Sequence, residues 1–295
     1  MSGKLFKLFG FGIFCFLFFL YMEFPYEVFL PKIQSKLLPK ITPDRSISFE
    51  ATRLKPYWLT GITLENFVLN QSGRTVFEAK SLSLRLRVLP LLLNMRSVGF
   101  SADAYAGNLS GWVGQRKKTN SGNIDLKKID LKKLVEGISN KQLPVAGQIK
   151  GNIKFDLDPS NVQQSKINVA LLLEKGTLGP GSFLGFSLPS AIHLDHKNGP
   201  LPINLTMDKD FLSPQIKMAN GDGRLDIEGR IIPTLPLPFS QMDLQLTFFL
   251  ENKIKDEMPA ILFDTLLAPG KNSDGSFSFK LNGPLQNPRF EPFRK

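Results

Sequence analysis

His193 and His196 are the two histidines of the chain, and with Asp195 between them they form its one cluster with metal-ligand chemistry. A structural or catalytic metal needs three or four convergent ligands, and no second pair stands at a matching spacing. In a strand, positions three apart face opposite sides, so the pattern reads as strand or loop histidines and no metal is expected. Gly179-Pro180-Gly181-Ser182 offers glycines and a hydroxyl. Its spacing is neither a phosphate-cradling loop nor a nucleophile elbow, because Pro180 stands where the elbow needs glycine. Asn220-Gly221-Asp222-Gly223 and Asn272-Ser273-Asp274-Gly275 have the oxygens of a calcium loop without its closing bidentate Glu, and read as turns. Cys15 is the single cysteine, so no internal disulfide forms. The expectation is a protein without catalytic residues, metal or cofactor, and not an enzyme.

Charge is more informative than nucleophiles. The pairs Lys127-Lys128 and Lys132-Lys133 punctuate an apolar series, Ile124, Leu126, Ile129, Leu131, Leu134, Val135 and Ile138. Its first half alternates as a strand does, and its second half has helical spacing from Asp130, a suitable N-cap, to Gly137. Two readings stand side by side: a helix on a sheet with solvated lysines, or a basic surface made by Lys127, Lys128, Lys132 and Lys133 that docks a partner or membrane. The whole chain carries a net +11. That balance favours anionic headgroups or an acidic partner; nucleic acid is not expected, for want of any binding motif.

Residues 1–23 hold a short basic start and the block Leu5–Met22, with seven phenylalanines and one charge, Lys7. Eighteen helical residues reach about 27 Å, close to the hydrocarbon thickness of a bilayer. Leu5, Phe9, Ile13, Leu17 and Leu20 are the expected anchor residues. Lys4 and Lys7 lie at the N-terminal side of the block and Glu23 follows it, which places the N-terminus in the cytoplasm and the rest outside. A cleaved signal peptide is the alternative, but Tyr21-Met22-Glu23-Phe24-Pro25 lacks the small-x-small cleavage pattern. Without Lys4, Lys7 and Glu23 the exported part keeps 35 basic and 25 acidic residues, a net +10.

Residues 24–45 read as a juxtamembrane linker with a short amphipathic helix from Pro31 to Pro43, and residues 46–295 as a β-domain. Leu82, Leu84, Leu86 and Val88 alternate with Ser81, Ser83, Arg85 and Arg87, the signature of a strand covered on one face. Leu89-Pro90-Leu91-Leu92-Leu93 reads as a helical turn or a strand end packed over the sheet, and Arg116 to Gly122 as a solvated loop. Gly147-Gln148-Ile149-Lys150-Gly151, Gly223 to Gly229 and Gly275 to Gly283 repeat a glycine followed by alternation, which predicts turns or bulges at strand starts. A second helix is expected over Glu257–Leu267, with Pro259 in its first turn. The fold class expected is mainly β: a transmembrane helix, then an elongated, curved antiparallel sheet, as open groove or sandwich, with a few short helices.

Gly275-Ser-Phe-Ser-Phe-Lys-Leu-Asn-Gly283-Pro-Leu-Gln-Asn-Pro288-Arg-Phe290 resembles the closing strand of AsmA-like periplasmic proteins. Leu59-Thr-Gly61-Ile-Thr-Leu-Glu-Asn66, Ala79 to Arg87 and Leu89-Pro90-Leu91-Leu92 look like the N-terminal part of that group. The order of parts, with Leu143 to Gly151, Gly223 to Gly229 and Ser240 to Phe248 between them, is similar to the type II secretion system protein N family. The resemblance implies a single-pass protein of the cell inner membrane, with a periplasmic C-terminal β-domain that docks other secretion-system proteins. It offers no catalytic residues. The AsmA-like pattern implies instead binding or transfer of membrane lipids along an apolar groove.

Overall fold

A computed structural model describes residues 29–32 and 47–293, except 59, 72–73, 93, 118, 140–143, 159–164, 184–185, 198, 209, 235–239 and 286–287. The anchor residues Leu5, Phe9, Ile13, Leu17 and Leu20, and nearly all of the 24–45 linker, lie outside them. Among the described residues no helix is long and apolar enough to cross a membrane. From the linker only a four-residue helix is described, α1 (Phe29–Lys32), and its Leu30 packs beside Leu54, Leu64 and Phe67.

The body is built of β1 (Ile47–Glu50), β2 (Arg53–Tyr57), β3 (Gly61–Gln71), β4 (Arg74–Leu86), helix α2 (Val88–Leu92), β5 (Arg96–Ala104), β6 (Gly107–Arg116) and β7 (Thr119–Asp130). Helix α3 (Leu131–Ser139) follows, then β8 (Val145–Leu157), β9 (Lys166–Leu178), β10 (Gly181–Phe183), β11 (Phe186–Leu188) and β12 (Ile192–His193). The chain ends with β13 (Leu201–Asp208), β14 (Phe211–Ala219), β15 (Gly223–Ile232), β16 (Gln241–Leu250), helix α4 (Asn252–Glu257), β17 (Phe277–Pro284) and β18 (Arg289–Pro292). All strands but β10 and β11 belong to one antiparallel sheet, ordered β1-β3-β4-β5-β6-β7-β8-β9-β13-β14-β15-β16-β17-β18. Strand β2 also pairs with β3, below β1, and β12 with β9. The order is that of the chain except where β9 pairs with β13, past the small β10–β11 hairpin. Among the described residues the end strands pair with no one but their neighbours, so the sheet does not close on itself.

Several expectations are corrected in detail. Arg116 to Gly122 is mostly strand and not loop: β6 runs through Arg116 and β7 starts at Thr119, with Arg116 paired to Thr119. The run from Leu89 forms α2, but Leu89 and Leu91 are exposed and do not pack over the sheet. The helix over Glu257–Leu267 is split, because Pro259 has no N–H and holds Met258 extended, at φ −91° and ψ 150°. Helix α4 therefore lies before Pro259, and a second turn, Leu262–Leu267 continued by Ala268–Gly270, after it. Gly147 sits in a bulge within β8 rather than at its start, as the register of β8 with β9 shifts between Ala146 and Gln148.

Candidate functional site

Residues directly opposite in an antiparallel ladder point to the same side, so each row of partners across a sheet belongs to one face. One row can be followed across fourteen strands: Leu54, Leu64, Leu82, Ala102, Leu109, Leu126, Gly151, Leu171, Ile203, Ile216, Ile227, Leu246, Phe279 and Pro292. Every member is apolar. The row one residue along reads Lys55, Thr63, Ser83, Ser101, Ser110, Asp125, Asn152, Ala170, Asn204, Gln215, Glu228, Gln245, Lys280 and Glu291. It is polar throughout apart from Ala170, and its members bond one another, as Thr63 with Ser83 at 2.8 Å and Asn152 with Asp125 at 2.6 Å. The alternation within each strand thus becomes one apolar and one polar face for the whole sheet. At about 4.8 Å per strand spacing, the thirteen steps make the apolar face roughly 60 Å long.

Gly151 occupies the row on β8, opposite Leu171 of β9. Its φ is +149°, and a Cβ there would stand 2.2 Å from the Ala170 carbonyl oxygen, so glycine alone fits.

Cover over this face is marginal. Leu131 and Leu134 of α3 pack on Ile129, Ile149 and Leu173; Leu188, Ile192, Ile254 and Met258 pack together with Leu250. Phe263 and Leu267 cover Phe277 and Phe279. Leu171, Ile203 and Ile216 pack beside the first of these groups, where Leu201 and Met218 are buried, and they, Ile227 and Leu246 stay half-buried.

A notch interrupts the sheet beside α3. Strand β4 pairs with β5 only from Ser81 onward, because β5 ends at Ala104 in a two-residue turn, Tyr105-Ala106, both with positive φ. The start of β4 is left without β5 as neighbour, and α3 packs against it from beyond the turn. In β7 a bulge sets Lys127 and Lys128 opposite the single Lys150. The turn is tied to this strand by the Asp130 N–H, 2.9 Å from the Tyr105 carbonyl, and a Cβ on Gly107 would lie 2.5 Å from the Lys128 carbonyl. The resulting cavity, about 1290 Å³, is lined by Lys80, Lys127, Lys128, Lys133 and Lys150 against Glu78, Asp103 and Glu136. Phe77, Ala104 and Tyr105 add an apolar wall, with the Phe77 and Tyr105 rings edge to face at 5.9 Å. Burial, and then the Glu78 carboxylate, push the Tyr105 phenol above its usual range, so it remains a proton donor at neutral pH.

Three of the four lysines expected to form a basic surface, Lys127, Lys128 and Lys133, therefore meet at one cavity, while Lys132 is exposed on α3 outside it. Lys80 and Lys150 were not expected there. Both sit on the polar side of alternating strands, and only the pairing of β4 and β8 around the notch brings them in. Lys150 also pairs with Glu174. Asp130 caps α3 as expected, accepting from the Lys133 N–H at 3.1 Å.

The histidines do not converge. His193 Nδ1 lies 2.7 Å from Asp222 Oδ2, which also accepts from the His193 backbone N–H at 2.9 Å. Among the described residues no group of three His, Cys, Asp or Glu is placed to hold a metal. Asn220 to Gly223 forms the β14–β15 turn, and the Asn220 amide donates to the His193 and Asp195 carbonyls at 2.8 and 2.9 Å. Comparison with known proteins yields no match to this chain, neither a family model, nor a curated protein, nor a solved structure.

Proposed function

We propose that the β-domain binds membrane lipids, holding acyl chains along its apolar face as a shallow trough, on the outer side of the cytoplasmic membrane to which Leu5–Met22 tethers it. The domain acts without catalysis, as a carrier or shelter for apolar chains. The observation that supports this most is the unbroken apolar row from Leu54 to Pro292, with its middle members half-buried. A soluble domain rarely leaves so long an apolar surface without an occupant. The basic notch complements it: an anionic headgroup would meet Lys80, Lys127, Lys128 and Lys133 where Phe77 and Tyr105 line the wall.

A second reading, a component of a type II secretion apparatus that docks other secretion proteins, draws on β18. This end strand is exposed at all four residues and offers an edge for strand addition.

The test is site-specific photocrosslinking of the full chain in cells. A benzophenone amino acid at Leu171 or Leu246, on the apolar row, is expected to form lipid adducts detectable by mass spectrometry. The same probe at Gln215 or Gln245, on the polar row, is expected to form none. Protein adducts at all four positions, with no lipid at Leu171 or Leu246, would replace the lipid reading with docking.

A further inference from the structure

One end of the sheet gathers seven of the large apolar side chains that are exposed among the described residues, while Leu172, Ile232, Ile261, Leu285 and Phe290 are exposed elsewhere. Trp58 in the β2–β3 turn is 72% exposed, and Leu89 of α2 is 76% exposed. Leu86, Val88 and Leu91 are 43–52% exposed. The two elements are neighbours: the Leu86 N–H donates to the Thr60 carbonyl at 3.1 Å, and the Thr60 hydroxyl donates to the Leu86 carbonyl at 3.1 Å. Leu86 is paired with Val98 and Val98 with Val113, and these two are also exposed, so the patch continues the apolar face of the sheet out to its margin. Residues 57–62, 84–98 and 111–117, which build this margin, contain Arg85, Arg87, Arg96, Arg116 and Lys117 and not one Asp or Glu. Arg87 lies over the Trp112 ring, 5.1 Å from its centroid, which leaves Trp58 as the outward indole.

An aromatic tip, an exposed leucine helix and a purely basic surround are what the interface of an anionic bilayer selects: the indole sits at headgroup depth, and the arginines meet lipid phosphates. An acidic protein would satisfy the arginines but not the outward Leu89 and Trp58. We propose that this margin, the Trp58 turn with α2 and the adjoining ends of β4 to β6, seats on the surface of an anionic lipid bilayer. The apolar face would then open directly onto the membrane. The surface is independent of what the rest of that face holds and of the N-terminal anchor.

The chain contains only two tryptophans, so Trp112→Phe leaves Trp58 as an intrinsic reporter. The full chain carrying Trp112→Phe is reconstituted into phosphatidylcholine vesicles with or without phosphatidylglycerol, each with a nitroxide-labelled lipid whose quencher is shallow. With phosphatidylglycerol, Trp58 emission is expected to shift blue and fall about twofold, since interfacial side chains lie within a few ångströms of such a quencher. Replacing Arg85, Arg87 and Arg96 together by Gln should abolish the dependence on phosphatidylglycerol, with the far-ultraviolet β signal retained. A reporter on the polar face, Gln245→Trp in a chain with Trp58→Phe and Trp112→Phe, should stay unquenched. Solvent-like, unquenched Trp58 in anionic vesicles would overturn the proposal and leave the patch to a protein partner. Equal quenching at Gln245→Trp would overturn it as well, because proximity from the anchor would then suffice.

Discussion

Asp222 is the residue whose chemistry bears most directly on stability. It stands in the β14–β15 turn, takes both the backbone N–H and the ring of His193, and its own carbonyl accepts from the Glu251 N–H at 3.0 Å. The side chain thus ties β12 to the turn, and the backbone of the same residue ties the turn to the approach to α4. Burial pulls its pKa upward, but the two hydrogen bonds from His193, its charge and Lys253 outweigh burial, and the net shift is below the ordinary 3.8. A carboxyl whose folded pKa is depressed stabilises the fold above its unfolded value, and that contribution is lost as pH falls through the folded value. Asp222→Asn should therefore lower the midpoint of thermal unfolding at neutral pH by a few degrees, for a loss of about 1 kcal/mol. The gap to the unsubstituted protein should close as pH drops below the ordinary 3.8. Circular dichroism melts at a series of pH values measure it, and a gap that persists unchanged in acid would show that the carboxylate is not the source. His193 and Asp222 were singled out by type in the sequence, as metal and calcium candidates. Their actual partnership joins residues 29 positions apart through a turn, a pairing that no local spacing encodes.

Helix α3 shows where local signals suffice and where they stop. Asp130 as N-cap, the apolar stripe of Leu131 and Leu134, and lysines on the outer face are all readable along the chain, and the helix forms where they place it. Its neighbours are not readable. Its packing on β4 depends on β5 and β6 being cut short by Tyr105-Ala106, a turn with two positive φ values and neither Asn nor Gly to announce it. The split at Met258 follows the opposite logic: Pro259 was visible, but reading it into the first turn of a helix starting at Glu257 overlooked the constraint it puts on the preceding residue. Because α3 covers Ile129 and Ile149 at the end of the apolar face, its cap matters to the whole sheet. Asp130→Ala leaves a helix N–H without a partner and should cost about 1 kcal/mol, a fall of roughly 2–4 °C for a body of this size. Hydrogen exchange should quicken across Leu131–Ser139 first. Unchanged exchange there would mean that packing by Leu131 and Leu134, rather than the cap, holds the helix down.

At the scale of the molecule, alternation was the legible quantity and its consequence was not. Leu82, Leu84 and Leu86 against Ser81, Ser83 and Arg85 reveal a two-faced strand, but only the register shows that the apolar sides of fourteen strands fall in line. A one-residue slip at any pairing would have turned the following strands over. Glycines at Gly147 and Gly151, with the bulges in β7 and β8, absorb the irregularities that would otherwise break the line. Open groove and sandwich remained equivalent in the sequence, because both need the same alternation; what the register adds is that these strands form one large antiparallel sheet. If the apolar face carries acyl chains, as proposed, it differs from a packed core: a charge in its middle is tolerated by the fold and blocks the passage of chains. Ile216 is half-buried near the midpoint of the row, two strands from Leu171 and two from Leu246. Ile216→Asp should remain folded, since a partly exposed carboxylate keeps much of its hydration, at a cost of about 1–3 kcal/mol. An acyl chain laid across it must strip that hydration, so lipid adducts at Leu171 and Leu246 should fall at least about tenfold, the equivalent of 1.4 kcal/mol. Gln215→Asp, one residue away on the polar face, should change neither adduct. Undiminished lipid adducts with Ile216→Asp, in a protein that still unfolds cooperatively, would mean that chains do not travel along this row.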